Sequence, residues 1–120
     1  MTEERLSLGR AGEEAAVRYL QKKGMRMVER NFRCRMGELD IVARDGPYLV
    51  FVEVRTVTGI AFGTAQESVD GKKKRKLRQV AMYYIQCNKA ACQPARFDVV
   101  GVVMNQAGSV LRIDHIVNAF

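Results

Sequence analysis

The sequence predicts an α/β fold, a mixed β-sheet flanked by helices, and three observations carry that prediction. Two stretches, from Ser7 to about Lys23 and from Asp70 to about Ile85, repeat apolar residues at spacings of three and four, as amphipathic helices do. Several runs rich in β-branched residues lie between and after them, and the clearest alternate with a period of two. The order is therefore helix, several strands, helix, strands, within 120 residues that suffice for one domain (1–120) with one hydrophobic core.

Taken in order, Ser7 is placed to cap the first helix, and Gly24 follows its end. Leu8, Ala11, Gly12, Ala15, Ala16, Tyr19 and Leu20 form its apolar stripe. Glu13 falls within about 20° of Leu20 at the stripe edge, whereas Glu14 points toward solvent. Met25 to Phe32 is a weaker strand whose alternation is broken by Met25, Met27 and Arg30, and residues 33–36 read as a polar connection. Thr56 to Gln66 is rich in glycine and threonine and reads as a mobile loop beside the sheet. Asp70 or Ser68 starts the second helix, with Leu77, Val80, Ala81, Tyr84 and Ile85 as its core stripe. Asn88 to Pro94 is a loop, Ala95 to Met104 a buried strand, Asn105 to Ser109 a turn, and Val110 to Ile116 a returning strand. Asp98 and Asp114 are expected to be buried structural acids, with Asp98 pairing an arginine.

The most informative stretch is Gly37 to Arg55. Period-two alternation on both sides of Asp45-Gly46-Pro47 reads as a β-hairpin. With a loop from Asp45 to Tyr48, Asp40 lies opposite Glu53 and Glu38 opposite Arg55, while Leu39, Ile41 and Ala43 face Val54, Val52 and Val50. One sheet face is then purely apolar and the other carries acids at one end. Opposed carboxylates have Cβ atoms roughly 5 Å apart and repel unless a cation, a proton or solvent relieves them. The hairpin therefore reads as a site.

Charge narrows the partner. Of the net +7, six charges sit in Lys72, Lys73, Lys74, Arg75, Lys76 and Arg78, so subtracting them leaves the rest at +1. A concentrated patch suits a polyanion, and the plain alternative is a solvated helix face. Six cations in the first turns also oppose the helix dipole, which favours phosphate binding over helix stability as the reason for them. No stretch approaches the roughly 18 apolar residues of a membrane span, and the amino-terminal segment has no apolar signal core, so a cytoplasmic protein with no membrane partner is expected. The three cysteines, Cys34, Cys87 and Cys92, have no CxxC spacing and lie far from the single histidine, His115, so free thiols are expected rather than zinc.

Asp40, Glu53 and a nearby Glu13 offer only hard oxygen donors, which prefer Mg2+ or Mn2+. A divalent ion there would polarise a phosphoryl oxygen, and the neighbouring cations would hold a phosphodiester. Glycoside hydrolysis is disfavoured, with no tryptophan and 8% aromatic residues, and a Cys–His nucleophile has nothing to bring His115 to a thiol.

Asp40, thirteen positions before Glu53, followed by Glu53-Val54-Arg55, resembles the motif of the PD-(D/E)xK nuclease superfamily. More specifically, GRAGEEAAVRYLQKKG, RNFRCRMGELDIVARDG, LVFVEVR, KKKRKLRQVAMYYI, RFDVVGVV and the closing IVNAF resemble the bacterial YraN family in order and spacing across nearly the whole chain. The resemblance implies a restriction-endonuclease-like core, related to archaeal Holliday-junction resolvases. It implies Asp40 and Glu53 as metal ligands and Glu13 as a helix acid assisting metal or water. Glu38 occupies the place before Asp40 where many nucleases have proline or another residue, and Gln79-x-x-x-Tyr83 resembles a helix motif of some of these nucleases. Arg55 stands where the superfamily usually has lysine. Arginine is tolerated there within the resembled family, but it stays charged and orients water or steadies phosphate charge without acting as a base.

The expected function is a metal-dependent phosphodiesterase acting on DNA, on branched or single-stranded intermediates. The alternatives are a nucleic-acid-binding module that keeps the fold without activity and a protein-interaction domain whose acids only form salt bridges. A symmetric cut of both strands would take two copies, so a homodimer fits the geometry.

Overall fold

The computed structural model describes residues 3–58, 70–88 and 93–120, with side chains described from Leu8 onward. The elements run α1 (Glu3–Lys22), β1 (Arg26–Cys34), β2 (Gly37–Asp45), β3 (Tyr48–Thr58), α2 (Gly71–Cys87), β4 (Ala95–Met104) and β5 (Val110–Ile116). The strands form one sheet in the order β1-β2-β3-β4-β5. Only the β3–β4 pair is parallel, joined through the segment that contains α2; the other three pairs are antiparallel. This is the mixed α/β sheet that the sequence predicts, and it is consistent with a restriction-endonuclease-like core.

Both faces of the sheet carry an apolar core, and the acids Asp40 and Glu53 stand at one end of the hairpin. Ile41, Ala43, Val50, Val52, Val100 and Val102 pack with Ala15, Ala16, Val17 and Leu20 of α1. Val42, Leu49, Phe51 and Val99 pack on the other face with Leu77, Val80, Ala81 and Tyr84 of α2. Tyr84 meets Phe32 and Phe51 edge to face, with centroids 5.1 and 5.8 Å apart. The central strand β3 is thus covered on both sides and reads as a nearly continuous apolar run. Period two alone does not tell which face a helix covers.

Several local expectations are corrected. Helix α1 already runs from Glu3, so Ser7 lies inside it rather than at its cap. Gly24 does end it, at φ +95°. Strand β1 extends to Cys34, leaving a two-residue turn in place of the longer connection. Thr56 to Thr58 continue β3, and the remainder of the expected mobile loop, with Ser68, lies outside the described residues. Cys92 lies outside them too; Cys34 and Cys87 are free thiols. Asp98 is fully buried and paired with Arg96 at 3.0 Å as expected, but Asp114 is 37% exposed in its pair with Arg112.

Helix α1 approaches the sheet closely at Gly12, where an added Cβ would overlap the side chain of Thr56 on β3. At Gly9 the same addition meets nothing within 4 Å. Gly12→Ala should therefore lower stability by about 1–3 kcal/mol through overpacking. Gly9→Ala should leave stability unchanged or raise it by up to about 1 kcal/mol. Urea denaturation of the two variants checks both signs.

Candidate active site

Strands β2 and β3 pair from Asp45↔Tyr48 to Ile41↔Val52, in the register inferred from the hairpin. One step further the main-chain pairing ends and a side chain takes over: Asp40 Oδ2 accepts the Val54 N–H at 2.8 Å. Beyond this point Glu38 does not meet Arg55 as the register implied. It lies opposite Arg33 of β1 and accepts from Arg33 Nε at 2.9 Å. Leu39 likewise leaves the face of Ile41 and packs on the α2 side with Phe32. Asn31 makes the matching change in β1. Its backbone is left-handed at φ +55°, so Arg30 turns toward α1 while Phe32 turns toward α2. The broken alternation around Arg30 is the sequence trace of this irregularity.

Asp40 and Glu53 meet where the strands part, close enough for each carboxyl group to act on the other. Burial, the neighbouring Glu53 carboxyl and the charge of Glu13 push Asp40 up to about 8, against the opposing Val54 N–H. Glu53 is 9% exposed, and burial alone would raise it. The neighbouring Asp40 carboxyl, Lys73, and the charge of Arg55 outweigh burial and hold it below its ordinary range. Near neutrality the pair as a unit thus favours keeping one proton. Lys73 Nζ, from the first turn of α2, lies 2.9 Å from Glu53 Oε2. That oxygen is buried, and beyond the lysine it keeps a second acceptor direction.

Asp40 also opens on the α1 side into a cleft of about 910 Å³, lined by Arg10, Glu13, Glu14, Arg30, Val54 and Thr56 among others. Glu13 reaches the cleft as its place on the helix wheel implied. It is held by Arg30 Nη2 at 3.3 Å, and the more exposed Glu14 takes Arg30 Nη1 at 2.7 Å. Glu13 therefore acts on Asp40 through charge. Among the described residues no three His, Cys, Asp or Glu gather to hold a metal ion. The cleft arginines, Arg10, Arg30 and Arg33, carry no such signal in the sequence, where they alternate with other residues and form no continuous run like Lys72 to Lys76.

The basic run divides by position on α2. Asp70 caps the helix by accepting the Lys73 N–H at 2.9 Å. Lys74 and Arg78 lie over the ring of Phe120, at 5.6 and 5.7 Å from its centre. Lys72, Arg75, Lys76 and Arg78 are exposed. Gln79 and Tyr83 are exposed further along the helix, where the Tyr83 ring packs on Phe32 with centroids 6.3 Å apart. Arg55 is half-buried on β3, two residues beyond Glu53. Among the described residues no helix is long and apolar enough to cross a membrane.

A sequence model described as "Uncharacterised protein family UPF0102" matches residues 12–102. A UPF0102 protein of Pelotomaculum thermopropionicum is 51% identical over the whole of both chains. One of Caldicellulosiruptor saccharolyticus is 48% identical, covering 94% of this chain and 96% of the relative. A third, from Rhodococcus opacus, is 40% identical over 96% of this chain and 97% of the relative.

The raised Asp40 has a sign that can be measured. Its folded value of about 8 exceeds an unfolded value near 4, so its protonated form stabilises the fold below about pH 4 and that contribution is lost as pH rises toward 8. Glu53, shifted the other way, is ionised in both states above pH 6 and adds no slope there. Wild-type stability should fall by about 1–3 kcal/mol between pH 6 and 8.5. Asp40→Asn, which keeps an acceptor for Val54, should flatten that slope in urea titrations at the two pH values.

Proposed function

This chain belongs to the uncharacterised protein family UPF0102, the YraN family, and we propose that it is a metal-dependent nucleic-acid phosphodiesterase acting on DNA. The observation that carries this reading is the meeting of Asp40 and Glu53 at the parting of β2 and β3, with a cation of the basic helix on Glu53. Two buried carboxylates forced to share a proton are costly to a fold, and a hydrophobic pair would pack there more cheaply. A site that exists to take a cation explains them.

The donors fit Mg2+ or Mn2+. Both ligands are carboxylates, Glu53 Oε2 has an unused acceptor direction, and magnesium is commonly held by one or two carboxylates with waters completing its shell. When bound, the ion supplies Lewis-acid polarisation of the phosphate and a more acidic water. In hydrolysis the water oxygen bonds to phosphorus and the P–O bond to the departing sugar oxygen breaks. One water proton ends on that oxygen and the other on the new phosphate monoester or in solvent. Asp40, fixed by Val54 N–H, and Glu53 hold the ion's place. Glu13 sets the charge beside Asp40 through the cleft. Arg55 contributes a permanent positive charge near the phosphate. Lys72, Arg75 and Lys76, exposed on α2, suit backbone phosphates flanking the scissile one. Cutting both strands of a symmetric junction would need two copies.

A second reading has its own observation. Among the described residues two carboxylates rather than three meet, and Arg55 replaces the usual lysine, which suits a nucleic-acid-binding module that keeps the fold without hydrolysis.

Cleavage of linear, single-stranded, flapped and four-way-junction DNA with Mg2+ or Mn2+ separates the two readings. Wild type should cut at least one substrate. Asp40→Asn and Glu53→Gln should lower cutting by at least about 100-fold while DNA affinity stays within about threefold. DNA binding with no cutting by wild type on any substrate would leave the binding module. Independently, replacing Lys72, Arg75 and Lys76 with glutamine should weaken DNA binding about tenfold at 0.1 M salt and flatten its salt dependence by up to about three charges. An unchanged slope would remove the nucleic-acid partner.

A further inference from the structure

The basic run is a charge patch in the sequence, yet in the fold one of its members is set apart. Lys73 is the cation of that run whose ammonium reaches the acid pair, 2.9 Å from a carboxylate oxygen of a residue only 9% exposed. Its main chain is fixed at the same time, because its N–H is the one that the Asp70 cap accepts, at 2.9 Å. A cap on the residue's own amide holds the root of the side chain while four methylenes carry the charge inward. The Lys73 side chain remains 38% exposed, so the ammonium stands at the mouth of the pair rather than sealed behind it.

Its orientation carries the next step. The contact with Glu53 occupies one of the ammonium's three N–H donors and leaves two to point elsewhere. Arg55 is the other cation acting on Glu53. Its planar guanidinium keeps a fixed fork of donors, whereas a lysine is a compact point charge that rotates to follow an oxygen as charge grows on it. Lys73 therefore brings to the mouth of the acid pair a charge able to follow a phosphate arriving at Asp40 and Glu53.

We propose that Lys73, supplied by α2 instead of by β3, is the lysine of this site: it shares Glu53 with the metal and donates to the scissile phosphate at the place where Arg55 stands in the strand motif. The proposal rests on the phosphodiesterase reading above. It moves Lys73 out of general backbone binding and separates it in function from Lys72, its neighbour in the same turn. Asp70 becomes a positioning residue, acting through the cap.

The test compares Lys73→Met, Lys73→Arg and Lys72→Met on whichever DNA the wild type cuts, with Mn2+ affinity measured separately by calorimetry without DNA. Lys73→Met should lower kcat by about 100-fold or more with KM within about threefold, the size expected for losing one donor to a developing charge. Lys72→Met should show the reverse, with KM raised and kcat within about threefold. Lys73→Arg should recover at least about tenfold of the lost rate, because a cation returns to the same root. Mn2+ should bind Lys73→Met several-fold more tightly, since the ammonium no longer competes for Glu53, and this readout needs no cleavage. A kcat within threefold of wild type in Lys73→Met, an arginine variant no better than the methionine one, or an unchanged Mn2+ affinity would each overturn the proposal and leave the phosphodiesterase reading standing. A wild type that cuts nothing overturns both.

Discussion

A carboxylate standing in for a main-chain hydrogen bond is the constraint on which the rest of the site depends. Strands β2 and β3 could remain zipped beyond Ile41 and Val52. Instead Asp40 captures the Val54 amide, and the two strands part around it. The amide stays satisfied, so parting the strands leaves no buried orphan there. The gap brings Asp40 against Glu53 and opens Asp40 to the cleft under α1. It also leaves β2 to pair beyond that point with β1, where Arg33 and Glu38 meet. Left-handed Asn31 is the complementary adjustment in β1, sending Arg30 to the acids of α1 and Phe32 to the aromatic cluster under α2. Each irregularity lies beside the acid pair, as expected where local structure yields to a site.

Much of this was legible in the sequence, and the boundary of legibility is physical. The helix stripes, the hairpin register and the extents of β4 and β5 follow from periodicity and turn chemistry, which are local. Glu13 was placed at the stripe edge by angle alone, and it does reach Asp40's surroundings. The failures occur where tertiary contact overrides a local rule. Glu38 finds Arg33 rather than Arg55 because β2 leaves β3 there while staying paired with β1, and no pattern within the hairpin reports a third strand. Leu39 leaves its face for the same reason. Ser7 has good capping chemistry, but nothing in that chemistry stops a helix from starting earlier at Glu3. Lys73 was indistinguishable from its neighbours, since a run of like residues hides which one a fold turns inward.

The two sides of β3 solve opposite problems. Toward β2, acids outnumber the partners that would make them comfortable. Toward β4, where Asp98 lies opposite Val52, that fully buried acid accepts from Arg96, from the Asn118 amide and from His115 Nε2 at 2.8 Å, while Arg96 also reaches Asp45 at 2.9 Å. That carboxylate is saturated and holds the last strand and the residues after it in place. The contrast shows why burial alone does not mark a site: Asp98 is more buried than Glu53, but every direction around it is used.

The sheet order also has a kinetic consequence. Strands β1, β2 and β3 join through two tight turns, so their contacts close short loops, whereas β3 meets β4 only by bringing together residues as distant as Leu49 and Ala95. Loop-closure entropy favours the meander forming first. Asp40 and Glu53 both belong to the meander, and Lys73 belongs to the crossover that closes later. On this hypothesis the folding chain assembles its acids before the cation that steadies them arrives, and protonation or a divalent ion should then speed the early step. Folding φ-values would decide it: values at Ile41 no higher than those at Val99 would reverse the order. A feature of function would thus be felt first as a hurdle in folding.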